Sequence, residues 1–152
     1  MPIYATKELF KTDMYNNYTK VLTEKKIDLE FAKYLVSQDA LESNWGKSSL
    51  CLYNNFGGVK ASKTSKFVEK QTKEWDKTEK KMKTVVQKFR VFDSVEEYCR
   101  YKIALLGNSN YKTFTRKPSE FADSLTIYAK YKYATDPNYK FKINNMYKQM
   151  WG

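Results

Sequence analysis

Seven residues, Ala40-Leu41-Glu42-Ser43-Asn44-Trp45-Gly46, constrain this chain more than any other segment. Upstream, Phe31, Ala32, Leu35 and Val36 recur at helical spacing and make an apolar stripe. Continuing that stripe at about 100° per residue brings Gln38, Asp39 and Glu42 onto the same face. The pattern therefore predicts a buried helix that starts at Asp28 as N-cap, staples Ile27 to Ala32, and delivers a carboxylate to its inward face. Gly46 suits the exit from that helix, and Trp45 is placed against Glu42.

The rest of the chain reads as mainly α. A first helix is predicted over about Thr6 to Thr23, with Leu9, Phe10, Met14, Tyr18, Val21 and Leu22 as its apolar residues. Ser94 and Glu97 form a capping box ahead of Val95, Tyr98, Cys99, Ile103 and Leu106, and Gly107 ends that helix. Pro118 opens a further helix carrying Phe121, Ala122, Leu125, Tyr128 and Ala129. Asp136-Pro137 marks a turn, and a last helix holds Ile143, Met146, Tyr147 and Met150. Between about residues 66 and 92 the period changes to two: Val68, Lys70, Thr72 and Glu74 share one side, as do Val85, Gln87, Phe89 and Val91. This predicts a charged hairpin projecting from a helical body. With 152 residues and no linker or repeat, one domain is expected over the whole chain.

The formal net charge is +11, which favours anionic polymers as partners. Arginine, the residue suited to bidentate base and phosphate contacts, is confined to Arg90, Arg100 and Arg116, and no nucleic-acid motif accompanies the lysines. Specific nucleic-acid recognition is therefore not expected. No apolar run is long enough for a membrane span. Met1 to Phe10 lacks a secretory leader pattern, so action outside a cytoplasm calls for phage release, delivery as an effector, or excision from a longer protein. The chain has no histidine, which excludes a Ser-His-Asp triad, a Cys-His pair and a His-ligated metal. Cys51 and Cys99 make no disulfide framework, and Cys99 falls on an apolar helical face. Carboxylates, tyrosines and lysines remain for acid–base work. A carboxyl at an apolar wall is disfavoured in its charged form and can act as a general acid near neutral pH, a role typical of glycosidases. That chemistry calls for no cofactor and no metal.

Five segments occur in order: Ala40 to Ser48, Tyr53-Asn54-Asn55-Phe56-Gly57, Thr72-Lys73-Glu74-Trp75, Phe89 to Ser94, and Tyr133-Ala134-Thr135-Asp136-Pro137-Asn138-Tyr139. Together they resemble the bacterial and phage endo-β-N-acetylglucosaminidases of glycoside hydrolase family seventy-three, over roughly Asp28 to Met150. The resemblance implies a lysozyme-like helical domain with a small β-hairpin lobe. It implies cleavage of the β-1,4 bond between N-acetylglucosamine and N-acetylmuramic acid in peptidoglycan glycan strands, at the bacterial cell wall. It assigns the general acid to Glu42 and a second carboxylate to Glu74, and it places Tyr133 in the catalytic cleft. Tyr53, Asn54, Phe56 and Gly57 would shape the floor, with Trp45 and Tyr139 as further substrate-facing rings. Two departures stand out: Gly57-Gly58-Val59-Lys60 replaces the usual Gly-Ile-Lys, and the hairpin tip is rich in Lys and Glu.

The second step stays open at this level. Glu74 can activate water across a gap of roughly 6.5–9.5 Å, or the sugar's own acetamido oxygen can attack while Tyr133 orients it. The lysine-rich surface would hold anionic cell-wall polymers. Competing functions are an inactive wall-binding module, or a muramidase or lytic transglycosylase on the same fold.

Overall fold

The computed structural model describes residues 4–152, so residues 1–3, where the leader reading begins, lie outside it. In order the chain forms α1 (Lys7–Glu24), α2 (Phe31–Ser43), β1 (Phe67–Asp76), β2 (Lys81–Arg90), α3 (Val95–Leu106), α4 (Phe121–Leu125) and α5 (Tyr139–Trp151). Short 3-10 turns occupy Ser49–Tyr53, Thr113–Thr115 and Pro118–Glu120. The described residues are thus mainly helical with one two-stranded antiparallel sheet. No helix among them is long and apolar enough to cross a membrane.

α1 begins where Thr6 caps it, its hydroxyl accepting the Leu9 N–H at 3.1 Å. Phe10, Met14, Tyr18, Val21 and Leu22 are buried as their spacing requires. Leu9, assigned to the same face, is 54% exposed, because the stripe runs through Phe10 and leaves its neighbour a third of a turn away.

α2 starts at Phe31, later than the Asp28 cap predicted. Asp28 instead organises a preceding turn: its carboxylate accepts the Glu30 N–H at 2.9 Å and its carbonyl that of Phe31 at 3.2 Å. α3 follows its prediction closely. Ser94 accepts the Glu97 N–H at 3.0 Å, while Glu97 reaches one residue further back, to the Asp93 N–H at 2.8 Å.

α4 is the largest departure. It ends at Leu125, and Tyr128, expected on its apolar face, is 47% exposed. Thr126 bonds back to the Ala122 carbonyl at 2.8 Å and takes a non-helical conformation. The following segment is held from outside: Asn110 accepts the Tyr131 N–H at 2.7 Å and donates to the Tyr131 carbonyl at 3.0 Å. The Tyr133 N–H then returns to the Leu125 carbonyl at 3.0 Å.

α2 packs against α1 and α5, and α1 against α3. α2 and α5 run in opposite directions: Glu42 meets Tyr139 at one end, and the Lys33 carbonyl accepts from Trp151 Nε1 at 3.1 Å at the other. The hairpin pairs Phe67 with Arg90 and Asp76 with Lys81. Its ties to the body reach from the base as far as Lys70, whose ammonium donates to the Ser49 hydroxyl at 2.5 Å. Asn54 donates to the Phe92 carbonyl at 2.9 Å, and the Asn55 amide donates to the carbonyls of Val59 and Arg90, each at 2.9 Å.

Candidate active site

The end of α2 positions the acid. Ser43 donates to the Asp39 carbonyl at 2.6 Å and accepts the Gly46 N–H at 2.9 Å. Asn44, Trp45 and Gly46 then take left-handed conformations in succession, with φ of 50°, 58° and 76°. Asn tolerates this conformation and Gly prefers it, but a bulky Trp is strained there. Burial compensates: the Trp45 ring is 9% exposed and packs edge-on against Phe10 at 6.3 Å, with Lys7 Nζ 4.8 Å from its centroid. The tight turn also requires Gly46 itself, since a Cβ there would sit 2.7 Å from Phe10 Cδ2 and 2.8 Å from Tyr4 Cδ2.

Trp45 therefore turns toward α1 and is not part of the groove beside Glu42. That groove, about 300 Å³, is lined by Leu41, Glu42, Ala134, Thr135, Asp136, Tyr139 and Lys142. It forms where the last turn of α2 meets the first turn of α5 and the loop before it. Glu42, expected on the buried face, is exposed, because the chain turns away after Ser43 and leaves the last turn of α2 open to the groove; its Oε1 accepts the Tyr139 hydroxyl at 2.7 Å. Gln38, one turn earlier on α2, donates to the Tyr139 oxygen at 2.8 Å. Burial, reinforced by the Glu42 carboxylate, pushes the Tyr139 hydroxyl far above the usual tyrosine range. Tyr139 consequently keeps its proton and is the donor in its bond to Glu42.

Tyr133, expected to line the cleft, is not among the groove's lining residues; it stacks parallel behind Tyr139, with centroids 5.8 Å apart and planes 10° from parallel. Burial raises its hydroxyl as well, against the opposing pull of Lys102. Asp136 pairs with Lys142 at the rim and accepts the Asn138 N–H at 2.8 Å, which builds the turn into α5. Lys142 lies three residues past Tyr139, so helical spacing was the signal that could have placed it beside the groove.

The remaining sequence-predicted residues sit elsewhere. Phe56 is 1% exposed and packs on Tyr4, Phe10 and Tyr98, so it is a core residue and does not line the groove. Gly57 lies over Tyr98, whose hydroxyl would be 2.7 Å from an added Cβ. The Tyr53 carbonyl accepts the Phe92 N–H at 3.0 Å, and with Asn54 it anchors the hairpin base. Glu74 is exposed on β1, where it accepts from Gln87 Nε2 at 2.7 Å, and it does not line the groove. Cys51 and Cys99 are both buried free thiols. Burial raises both thiols.

Comparison with known proteins agrees with this arrangement. Residues 13–151 match the family model for glucosaminidase, described as mannosyl-glycoprotein endo-beta-N-acetylglucosaminidase. The chain is 34% identical over 124 residues to the peptidoglycan hydrolase FlgJ of Salmonella typhimurium, covering 76% of this chain and 38% of FlgJ. It is 31% identical over 140 residues to the exo-glucosaminidase LytG of Bacillus subtilis, covering 87% of this chain and 48% of LytG. It thus spans less than half the length of either relative. In structure it is similar to the catalytic domain of the autolysin Auto from Listeria monocytogenes, with a TM-score of 0.80 at 22% identity over 98% of this chain and 86% of that one. A family match across nearly the whole chain, on a fold that puts the motif carboxylate in a groove, settles the relationship: the chain belongs to the glucosaminidase family.

Proposed function

We propose that this protein hydrolyses the β-1,4 bond between N-acetylglucosamine and N-acetylmuramic acid in peptidoglycan, with Glu42 as general acid. The observation that carries the reading is the bond from Tyr139 to Glu42 at the groove. Tyr139 occupies Oε1, which leaves Oε2 as the oxygen that serves the leaving group. Proton transfer to that oxygen breaks the bond as positive charge builds on the sugar ring. Tyr133 offers a ring and a hydroxyl to the sugar beside the reacting bond. Glu74 supplies the second carboxylate: the hairpin, whose outer part beyond Lys70 makes no hydrogen bond to the body among the described residues, brings it over the bound strand to activate water. Anionic wall polymers bind the lysine-rich surface, consistent with the net charge of +11.

Digestion of purified cell wall by the wild type and Glu42→Gln, with mass analysis of the fragments, tests the reading. Fragments ending in reducing N-acetylglucosamine, and a rate at least a hundredfold lower for Glu42→Gln, are the expected result. Reducing muramic ends would indicate a muramidase and anhydro-muramic ends a transglycosylase. Full activity in Glu42→Gln would place the acid elsewhere, and inert wild type would leave a binding module.

A further inference from the structure

α3 carries a cation where its apolar stripe calls for a hydrophobe. Lys102 shares the buried face with Cys99, Ile103 and Leu106, and its side chain is 1% exposed. Removing an ammonium from water is expensive, and a buried ion pair stabilises no better than well-packed hydrophobes of the same size. Stability alone therefore does not account for a lysine at this point.

Its partner is Asp39, on α2 one turn before Glu42, with Nζ 3.1 Å from Oδ1. Asp39 also accepts the hydroxyl of Tyr98 at 2.6 Å and that of Tyr18, so the carboxylate is well supplied with donors. Burial works most strongly against the charge on Lys102, but Asp39, Tyr133 and Glu42 together outweigh it and the ammonium is held more tightly than an ordinary lysine's. Asp39 takes one of its donors, and the ammonium stands 5.9 Å from the ring centroids of both Tyr98 and Tyr133. A desolvated cation at that range attracts the ring face. Tyr133 comes from an irregular loop, and its ring is also flanked by Tyr111 at 5.9 Å and Tyr139 at 5.8 Å.

We propose that the Asp39–Lys102 pair is a positioning device for the groove: the buried ammonium, anchored by Asp39, seats the Tyr133 ring on Tyr139 beside Glu42. Lys102 is thus a positioning residue that never meets the sugar, and the inference rests on the reading that Tyr133 does. Asn110 and the Leu125 carbonyl hold the backbone of this loop, and the cation acts on the Tyr133 ring itself.

The test is a double-mutant cycle on the full chain, measuring kcat and KM on solubilised glycan fragments beside a circular-dichroism melt. The paired change Asp39→Asn with Lys102→Met removes both charges and leaves neither buried alone. It is expected to melt cooperatively, to lower kcat about tenfold, and to leave KM within about twofold. Combined with Tyr133→Leu it is expected to cost nothing further, because the ring it positions is gone. Wild-type kcat in the paired variant, or losses that multiply fully with Tyr133→Leu, would overturn the inference. Should the paired variant not fold, Lys102→Gln keeps a donor for Asp39 without the cation and carries the same comparison. Tyr133→Leu alone separates the two levels: wild-type kcat there rejects the role of Tyr133 and the inference with it, whereas a loss that multiplies with the paired change rejects the inference alone.

Discussion

Tyr139 and Glu42 are 97 residues apart in sequence, yet the Tyr139 hydroxyl lies 2.7 Å from Glu42 Oε1 and is itself met by Gln38. One tyrosine thereby links two helices and fixes the orientation of the proposed acid. Tyr139→Phe keeps the ring on Tyr133 and removes the hydroxyl, leaving the Gln38 amide without its acceptor. A loss of about 1–3 kcal/mol in stability is expected, read from denaturant unfolding. Wall hydrolysis should fall about tenfold with substrate binding retained, because Oε1 loses its fixed partner.

Glu74→Gln is expected to lower kcat on wall fragments at least tenfold while binding of wall by sedimentation is unchanged. Gln87→Ala frees Glu74 from its 2.7 Å partner and should leave kcat within about threefold. A loss below about threefold in Glu74→Gln would assign the second step to the acetamido group of the substrate.

The rim carboxylate of Asp136 gives a pH signature. Its bond to Lys142, with the Asn138 N–H, holds its pKa below the ordinary 3.8. A carboxyl depressed on folding stabilises the folded state above that ordinary value, and the contribution disappears as pH falls through the lower folded value. Asp136→Asn should therefore melt below the wild type at neutral pH, and the gap should close as the pH is taken below about 4. Paired thermal melts across that range check both the sign and the window.

Gly46→Ala tests the turn that ends α2. The new Cβ would stand 2.7 Å from Phe10 in a backbone with φ of 76°. A destabilisation of about 1–3 kcal/mol is expected in chemical unfolding, with Tm falling accordingly. Activity measured well below Tm should drop too, since the same turn fixes the last residues of α2.

Much of this molecule was legible in its sequence because the buried stripes are regular. Phe10, Met14 and Tyr18 betray α1, Ser94 and Glu97 mark the start of α3, and alternation from Val68 to Glu74 marks β1. The same repeat placed Glu42 at the end of α2, though on the buried face, whereas the structure leaves it exposed at the groove. What escaped depends on contacts distant in sequence. Three successive left-handed residues turn Trp45 away from Glu42, and nothing in a one-dimensional pattern signals that a Trp will accept φ of 58°. α4 looked longer because Tyr128 and Ala129 continue its period, yet Asn110 captures the backbone of Tyr131 and draws the chain off the helix. Lys102 does not stand out in the sequence among so many lysines, although its place among Cys99, Ile103 and Leu106 was the available clue.

The hairpin joins the body near Phe67 and Arg90, through Asn54 and Asn55, and at Lys70 through Ser49, while its turn lies nine residues out along each strand, between Asp76 and Lys81. Its outer half is therefore a modular blade. Shortening it, lengthening it or exchanging its tip for another sequence leaves the α2–α5 seam and the groove beside Glu42 untouched, so the tip is free to vary without rebuilding the body.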